Sequence, residues 1–437
     1  MKARYLPFLS FVACLVVLVA AHFFFGFTLG GDTERYLERG NDLMLGLSGD
    51  GFQRVKFDEY TVLYLLPNIA FGYMDLIWGP HAVYVSIVMN MVFYSFSTLL
   101  IFRIWVGSSA DKTSFLVLIS GLYLILGLPA EVVKWNFVAF SPDIFFIPLV
   151  SAFWLFLSSA LTRGTASGWV GAGVVSILCV ATKPAGIVVP VFLGVIIAYL
   201  RMIRKGRDSA LINWIAWSAL FILPTAVVFL LWPYIVYLDR FDIAWIGYLA
   251  DNLQWLFGAY QKGIVVKGIP ETHVGDPGTY WEYVTVGLYR LVYFVLLWRP
   301  GYSVIHVVLN VVYSLVLIWA SIVGWRGLRR CGGVYAVMAP ALLACSYYFA
   351  LFYSVTIVDD WRYELPMWPP LWILAGYGAL FRFGAFRTPP HPGVSGDHLR
   401  RNRRATGLQL AETHSVGAVA VLTEQGAPHV GTGQQVK

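Results

Sequence analysis

Three groups of charged residues could do chemistry in a chain that otherwise avoids charge. The first is "FTLGGDTERYLERGNDLM", residues 27–44, with Asp32, Glu34, Arg35, Glu38, Arg39 and Asp42 inside eleven positions. The second is Asp143 in "FVAFSPDIFFIPLV", with Glu131 a little upstream. The third is a pair of cations beside prolines, Lys183 in "ATKPAG" and Arg362 in "VDDWRYELPMWPP". A carboxylate can take a proton from a hydroxyl. A guanidinium fork binds phosphate bidentately, and an ammonium supplies a point charge. Each residue also has a plain structural reading. Asp32 suits a helix N-cap, Asp143 follows a first-turn proline, and Arg362 can pair on the surface with Asp359, Asp360 or Glu364, worth at most about 1 kcal/mol. A cap and a base are compatible roles, because a carboxylate has two oxygens.

The elements that must position these residues are membrane helices. The chain has 437 residues, 58% hydrophobic and 13% charged, with mean hydropathy +0.68. Soluble proteins carry about 25% charged residues. Apolar runs of spanning length recur along most of the sequence, and backbone satisfaction within a bilayer makes such runs helices. The fold class is all-α, a polytopic transmembrane helical protein. Spans are expected near 5–29, 81–102, 113–131, 142–161, 168–182, 184–203, 213–236, 303–325, 334–355 and 366–381. Two further apolar stretches, 60–78 and 284–298, each hold a charge (Asp75, Arg290) that suits an interface better than a bilayer centre.

The positive-inside rule sets the orientation. With both stretches on the outer surface, the inside loops collect Arg103, Lys112, Arg163, Arg204, Lys205, Arg207, Arg326, Arg329 and Arg330, against Asp111 and Asp208. The expectation is ten spans, both termini cytoplasmic, in the plasma (inner) membrane. Residues 1–382 form the membrane domain, with outer loops 30–80, 132–141, 237–302 and 356–365. Residues 383–437, rich in Pro, Gly and polar types, read as a disordered cytoplasmic tail. The net charge of +7 lies largely in short loops and the tail, so topology explains it and nucleic acid is not an expected partner. Cys14, Cys179, Cys331 and Cys345 show no metal or disulfide spacing. The N-terminal apolar run is too long for a signal-peptide core and reads as a retained first helix. No fixed-period repeat is present.

This orientation puts most acidic residues outside the tail on one face. After the first span, Tyr36, Leu37, Leu43, Met44 and Leu47 recur at helical spacing between charges, which describes an amphipathic helix on the surface. Segment 60–78 is a second, more apolar one. Carboxylates and cations near lipid-handling helices suit a lipid-phosphate-linked substrate: the phosphate wants cations, the lipid an apolar groove, and an acceptor hydroxyl a base.

The order of motifs resembles the GT-C superfamily of polyprenyl-phosphate-dependent glycosyltransferases, with protein O-mannosyltransferases and aminoarabinose transferases nearest in layout. The resemblance covers roughly residues 1–382 and rests on three short motifs. Gly31, Asp32 and Tyr36 match the start of the family's first outer loop. Lys183, Pro184, Ala185 and Gly186 match its Arg-Pro-(Thr/Ala)-Gly turn. Arg362, Tyr363 and Pro366 match its Arg-Tyr-x-x-Pro. The resemblance implies inverting sugar transfer from a polyprenyl-phosphate donor to a glycan, lipid or protein acceptor at the outer face. Asp32 would be the base, with Glu34, Asp143 or Glu131 as supporting acids or metal ligands. Arg362, Lys183 and Tyr363 would bind the lipid phosphate. Some members use a divalent cation; here the metal is undetermined. Two departures stand out: Lys183 replaces an Arg, and no large outer domain follows the last helix. A lipid-linked oligosaccharide polymerase or ligase, with spaced Arg in a long loop, and a secondary transporter are the competing readings.

Overall fold

A computed structural model describes residues 3–30, 33–47, 64–107, 115–127, 135–205, 210–227, 303–356 and 365–384, with isolated positions 288, 291 and 386. Gly31, Asp32, Glu131, Arg362, Tyr363, nearly all of 237–302 and the tail beyond Phe386 lie outside them. Apart from that tail, the chain belongs to one compact unit, Met1–Thr388.

The described residues are almost entirely helical. In chain order the helices are α1 (Leu6–Phe25), α2 (Thr33–Leu47), α3 (Leu65–Trp78), α4 (Ala82–Val106), α5 (Phe115–Leu126) and α6 (Pro142–Arg163). They continue as α7 (Ala166–Thr182), α8 (Val188–Lys205), α9 (Ala210–Ala226), α10 (Val304–Cys331), α11 (Gly333–Thr356) and α12 (Trp368–Arg382). Two short strands, β1 (Thr28–Leu29) and β2 (Val138–Ala139), pair in parallel.

Six described stretches are long and apolar enough to cross a membrane: Leu6–Phe25, Leu65–Val106, Pro142–Arg163, Pro184–Met202, Val307–Cys331 and Gly333–Tyr353. At about 1.5 Å per residue, the 20 residues of α1 match a hydrocarbon core of about 30 Å. The protein is therefore a helical membrane protein. Each expected span holds a helix among the described residues, but α5 has 12 residues, α7 and α9 have 17 and α12 has 15, short of that thickness on their own.

Several expected boundaries move. The first helix stops at Phe25 rather than near Leu29, because Gly26 takes φ 66° and the chain becomes strand β1. The last helix starts at Trp368, after a single 3-10 turn at Leu365–Met367. Segment 60–78 is helical over Leu65–Trp78 and joins α4 through a 3-10 turn at Gly79–His81, where Gly79 has φ 50°.

The expected amphipathic helix is present as α2. It buries Thr33, Tyr36, Gly40, Leu43 and Gly46 and exposes Glu34, Arg35, Glu38 and Asp42. The buried stripe packs on α3. A side chain at Gly40 would come within 2.7 Å of the Asn68 carbonyl oxygen, so the two backbones touch. Asp75, a charge within an apolar stretch, accepts a bond from Asn41 Nδ2 at 2.8 Å. Elsewhere α1 packs on α4, α4 on α6, α6 on α7, and α10 on α12.

Candidate functional site

The site grows from the turn that ends α7. Lys183 is its C-cap, in extended conformation, and donates its backbone N–H to Cys179 O at 3.3 Å. Pro184 cannot continue the helix and opens a 3-10 turn. Gly186 N donates to Lys183 O at 2.7 Å. A Cβ on Gly186 would collide with the Cys179 carbonyl and lie 2.6 Å from Val180 N, so only glycine lets the turn fold back on α7. This geometry turns the Lys183 side chain inward: the residue is 3% exposed.

Its partner is Asp143, at 4% exposure in the first turn of α6. Lys183 Nζ donates to Asp143 Oδ1 as a buried ion pair. The Tyr353 ring of α11 lies 5.7 Å from the same ammonium, within cation–π range. Two residues considered separately in the sequence are thus each other's counter-charge. Removing one member of such a pair strands the other in a medium that solvates charge poorly. An ammonium has three N–H groups, so Lys183 can hold Asp143 and still serve another acceptor.

The segment entering α6 is held from three sides. β1 pairs with β2 in the register Thr28 with Val138 and Leu29 with Ala139. Thr33 Oγ1 accepts from Gly30 N at 2.9 Å and donates to Ala139 O at 3.0 Å. From α4, Asn90 Nδ2 donates to Val138 O at 2.8 Å, and Ser86 Oγ accepts from Phe140 N at 3.3 Å. Phe140 itself sits at φ 54°, a left-handed conformation rare for a bulky residue. Such a conformation costs about 1–3 kcal/mol and persists only where the surroundings over-determine it. Next to it, Ser141 is the N-cap of α6 but makes no cap bond, and its buried Oγ has no hydrogen-bond partner.

Aromatic contacts carry the surface helices to the same place. Tyr36 lies 5.3 Å from Tyr64 and 6.3 Å from Phe71, and Phe71 lies 5.2 Å from Phe140 and 5.4 Å from Phe145. The turn Leu365–Met367, which contains Pro366, packs against α6 and α11. Segments from the first two sequence motifs therefore meet at the start of α6, and the third motif's Pro366 lies in a turn packed on the same helix. Tyr36, Lys183, Pro184, Gly186 and Pro366 are all among the described residues. Asp32, Arg362 and Tyr363 lie outside the described residues, as do Gly31 and Glu131. Glu34 is exposed on α2.

No three His, Cys, Asp or Glu residues converge among the described residues. Asp143 already holds an ammonium, which repels a divalent cation. The described residues assemble no metal site.

The sequence reading missed Ser86, Asn90, Phe140 and Tyr353. Ser86 and Asn90 carried a usable signal, two polar residues one helical turn apart in an apolar span, where such groups are expensive. Phe140 and Tyr353 carried none. Comparison with known protein families, characterised proteins and solved structures finds no match.

Proposed function

We propose that this protein is a membrane glycosyltransferase of the GT-C type, moving a sugar from a polyprenyl-phosphate donor to an acceptor hydroxyl at the outer face of the membrane. The observation that supports it most is the convergence at the start of α6. Gly30 and Thr33, which flank Asp32 by two residues and one, are hydrogen-bonded near Ala139, and Asp143 meets Lys183 in the same neighbourhood. In this reading the chain spans the membrane ten times, with both termini cytoplasmic and α2 and α3 at the outer surface.

The reaction is an inverting displacement. Asp32 takes the proton of the acceptor hydroxyl, and that oxygen forms the bond to the anomeric carbon. The bond from this carbon to the phosphate oxygen breaks, and the lipid phosphate leaves with the electron pair. Arg362 and Lys183 hold the charge that develops there, with Tyr363 as a further phosphate contact. A phosphate leaving group needs little protonation, so one carboxylate base suffices, unlike the paired groups of glycosidases. Asp143 holds Lys183 in place.

Lipid extraction from a deletion strain tests the reading. A polyprenyl-phosphate sugar should accumulate, and disappear on return of the wild-type gene but not of Asp32→Asn. An Asp32→Asn protein that is normally expressed and active sinks the mechanism. Orientation is tested separately: a single cysteine placed in 250–280 should be labelled from the outer face. Protection of that cysteine overturns the ten-span arrangement.

A secondary transporter is the second reading, because a buried ionisable pair sits beside a helix broken at Pro184. Both charges lie at helix ends rather than mid-helix, which favours the transferase.

A further inference from the structure

Three consecutive residues, Val138, Ala139 and Phe140, give up backbone hydrogen-bonding groups to side chains from two other elements. Two of those side chains, Ser86 and Asn90, lie four positions apart on one face of α4 and are fully buried. Ser86 Oγ also donates to Val83 O at 2.7 Å, which fixes its hydroxyl so that its lone pair meets Phe140 N. Asn90 uses its amide nitrogen on Val138 O, while its Oδ1 is buried with no partner. A polar pair inside a membrane helix, one of whose acceptors stays unsatisfied, is an expensive arrangement for packing alone.

The segment they hold has unusual leverage. Val138–Ala139 sets the register of β1, and β1 leads through Gly30 to the residues beside Asp32. Phe140, held in its left-handed conformation, is followed directly by Ser141, Pro142 and Asp143. One slip of the β1–β2 pairing, or relaxation of Phe140, moves Asp143 relative to Lys183.

We infer that Asn90 and Ser86 are positioning residues of the candidate site: they hold Val138–Phe140 so that Asp143, three residues on, is presented to Lys183. They act through the backbone of 138–140 and touch no substrate. The inference rests on reading the start of α6 as the reacting site, and its test is built to be independent of that reading.

The test uses the full-length protein in membranes and a membrane-soluble carbodiimide. The reagent converts the Asp143 carboxyl to an O-acylisourea. The Lys183 amine in contact with it, after losing a proton, displaces the urea and forms an amide, which mass spectrometry detects. Asn90→Leu keeps the branched shape of the side chain without its polar atoms, though it is bulkier, and suits a membrane helix. It should leave protein amount and thermal stability close to wild type but lower the Asp143–Lys183 amide yield about tenfold or more, since misplacement by about 1 Å costs roughly 10²-fold. Ser86→Ala should lower it in the same direction, and it decides the matter if Asn90→Leu fails to accumulate. Wild-type amide yield in folded Asn90→Leu and Ser86→Ala overturns the inference. Lipid-linked sugar is measured in the same cells. If none accumulates in the deletion strain, the transferase reading falls, while the amide yield still decides the positioning role.

Discussion

The start of α6 and the crossing of α10 with α12 bury polar groups in opposite ways. At the crossing the contacts are neutral and close. A Cβ on Gly324 would lie 2.9 Å from Gly378 N, and one on Gly378 would lie 3.0 Å from Gly324 N, so the two backbones touch. Trp372 Nε1 donates to Tyr313 OH at 3.0 Å, and Tyr313 OH donates to Leu124 O at 2.6 Å. Trp105 Nε1 donates to Ile373 O at 3.2 Å, and Tyr94 OH to Ile125 O at 2.9 Å. Helix-end carbonyls of α5 are thereby satisfied by aromatic hydroxyls. The start of α6 instead holds a full charge pair, a strained phenylalanine and a serine hydroxyl with no partner. Small residues and neutral bonds are how membrane helices pack. Charge and strain at one place are what a packed scaffold would avoid, and they concentrate where chemistry occurs.

That contrast can be broken by substitution. The largest effect is expected at Asp32. Asp32→Asn should lower sugar transfer by roughly 10²–10⁴-fold, the range for loss of a general base, with the protein inserting in normal amounts; turnover and immunoblotting together check it. Next comes the ion pair. Asp143→Leu alone should destabilise the protein by about 3–5 kcal/mol, because it breaks a buried ion pair from one side. The double variant Asp143→Leu/Lys183→Met should recover most of that stability in a detergent melt while transfer stays low. A double variant with normal transfer would make the pair a packing feature like those of the α10–α12 crossing.

The crossing itself should answer in stability alone. Gly324→Ala forces apart two touching backbones and should cost about 1–3 kcal/mol, seen as a lower melting temperature with the transfer rate per folded molecule unchanged. A comparable effect is expected for Tyr313→Phe. It removes the bond to the Leu124 carbonyl and the acceptor of Trp372 Nε1, and should cost about 1–3 kcal/mol, with no change in transfer. If Tyr313→Phe lowers transfer more than stability, the two regions are not separable in the way described.

Much of the helical layout was legible in the sequence, for a simple reason. Long apolar runs must satisfy their backbone groups internally, so a run of spanning length is a helix wherever it packs. The recurrence of Tyr36, Leu37, Leu43, Met44 and Leu47 likewise marked α2 as an amphipathic helix, and of these Tyr36 and Leu43 are buried. The break at Lys183-Pro184 was legible because proline ends helices locally. Helix ends were less so. The stop at Phe25 depends on strand β1 finding β2 more than a hundred residues away, as Leu29 pairs with Ala139. The candidate site was legible in residue types but not in pairings. Asp143 and Lys183 were each visible, one as a carboxylate and one as a cation, yet nothing local says that they share a proton donor and acceptor across forty positions. Tyr353 offered no signal at all, since tyrosine is ordinary in an apolar helix near its end.

By itself the sequence determined the class of the protein, a helical membrane protein, and most of the helices that build it. These follow from transfer free energies and local backbone rules that act residue by residue. Only the tertiary structure decided which charges meet, which loop is strained and which polar side chains of α4 hold it. Those depend on long-range contacts between α4, α6, α7 and α11, whose register no local propensity contains.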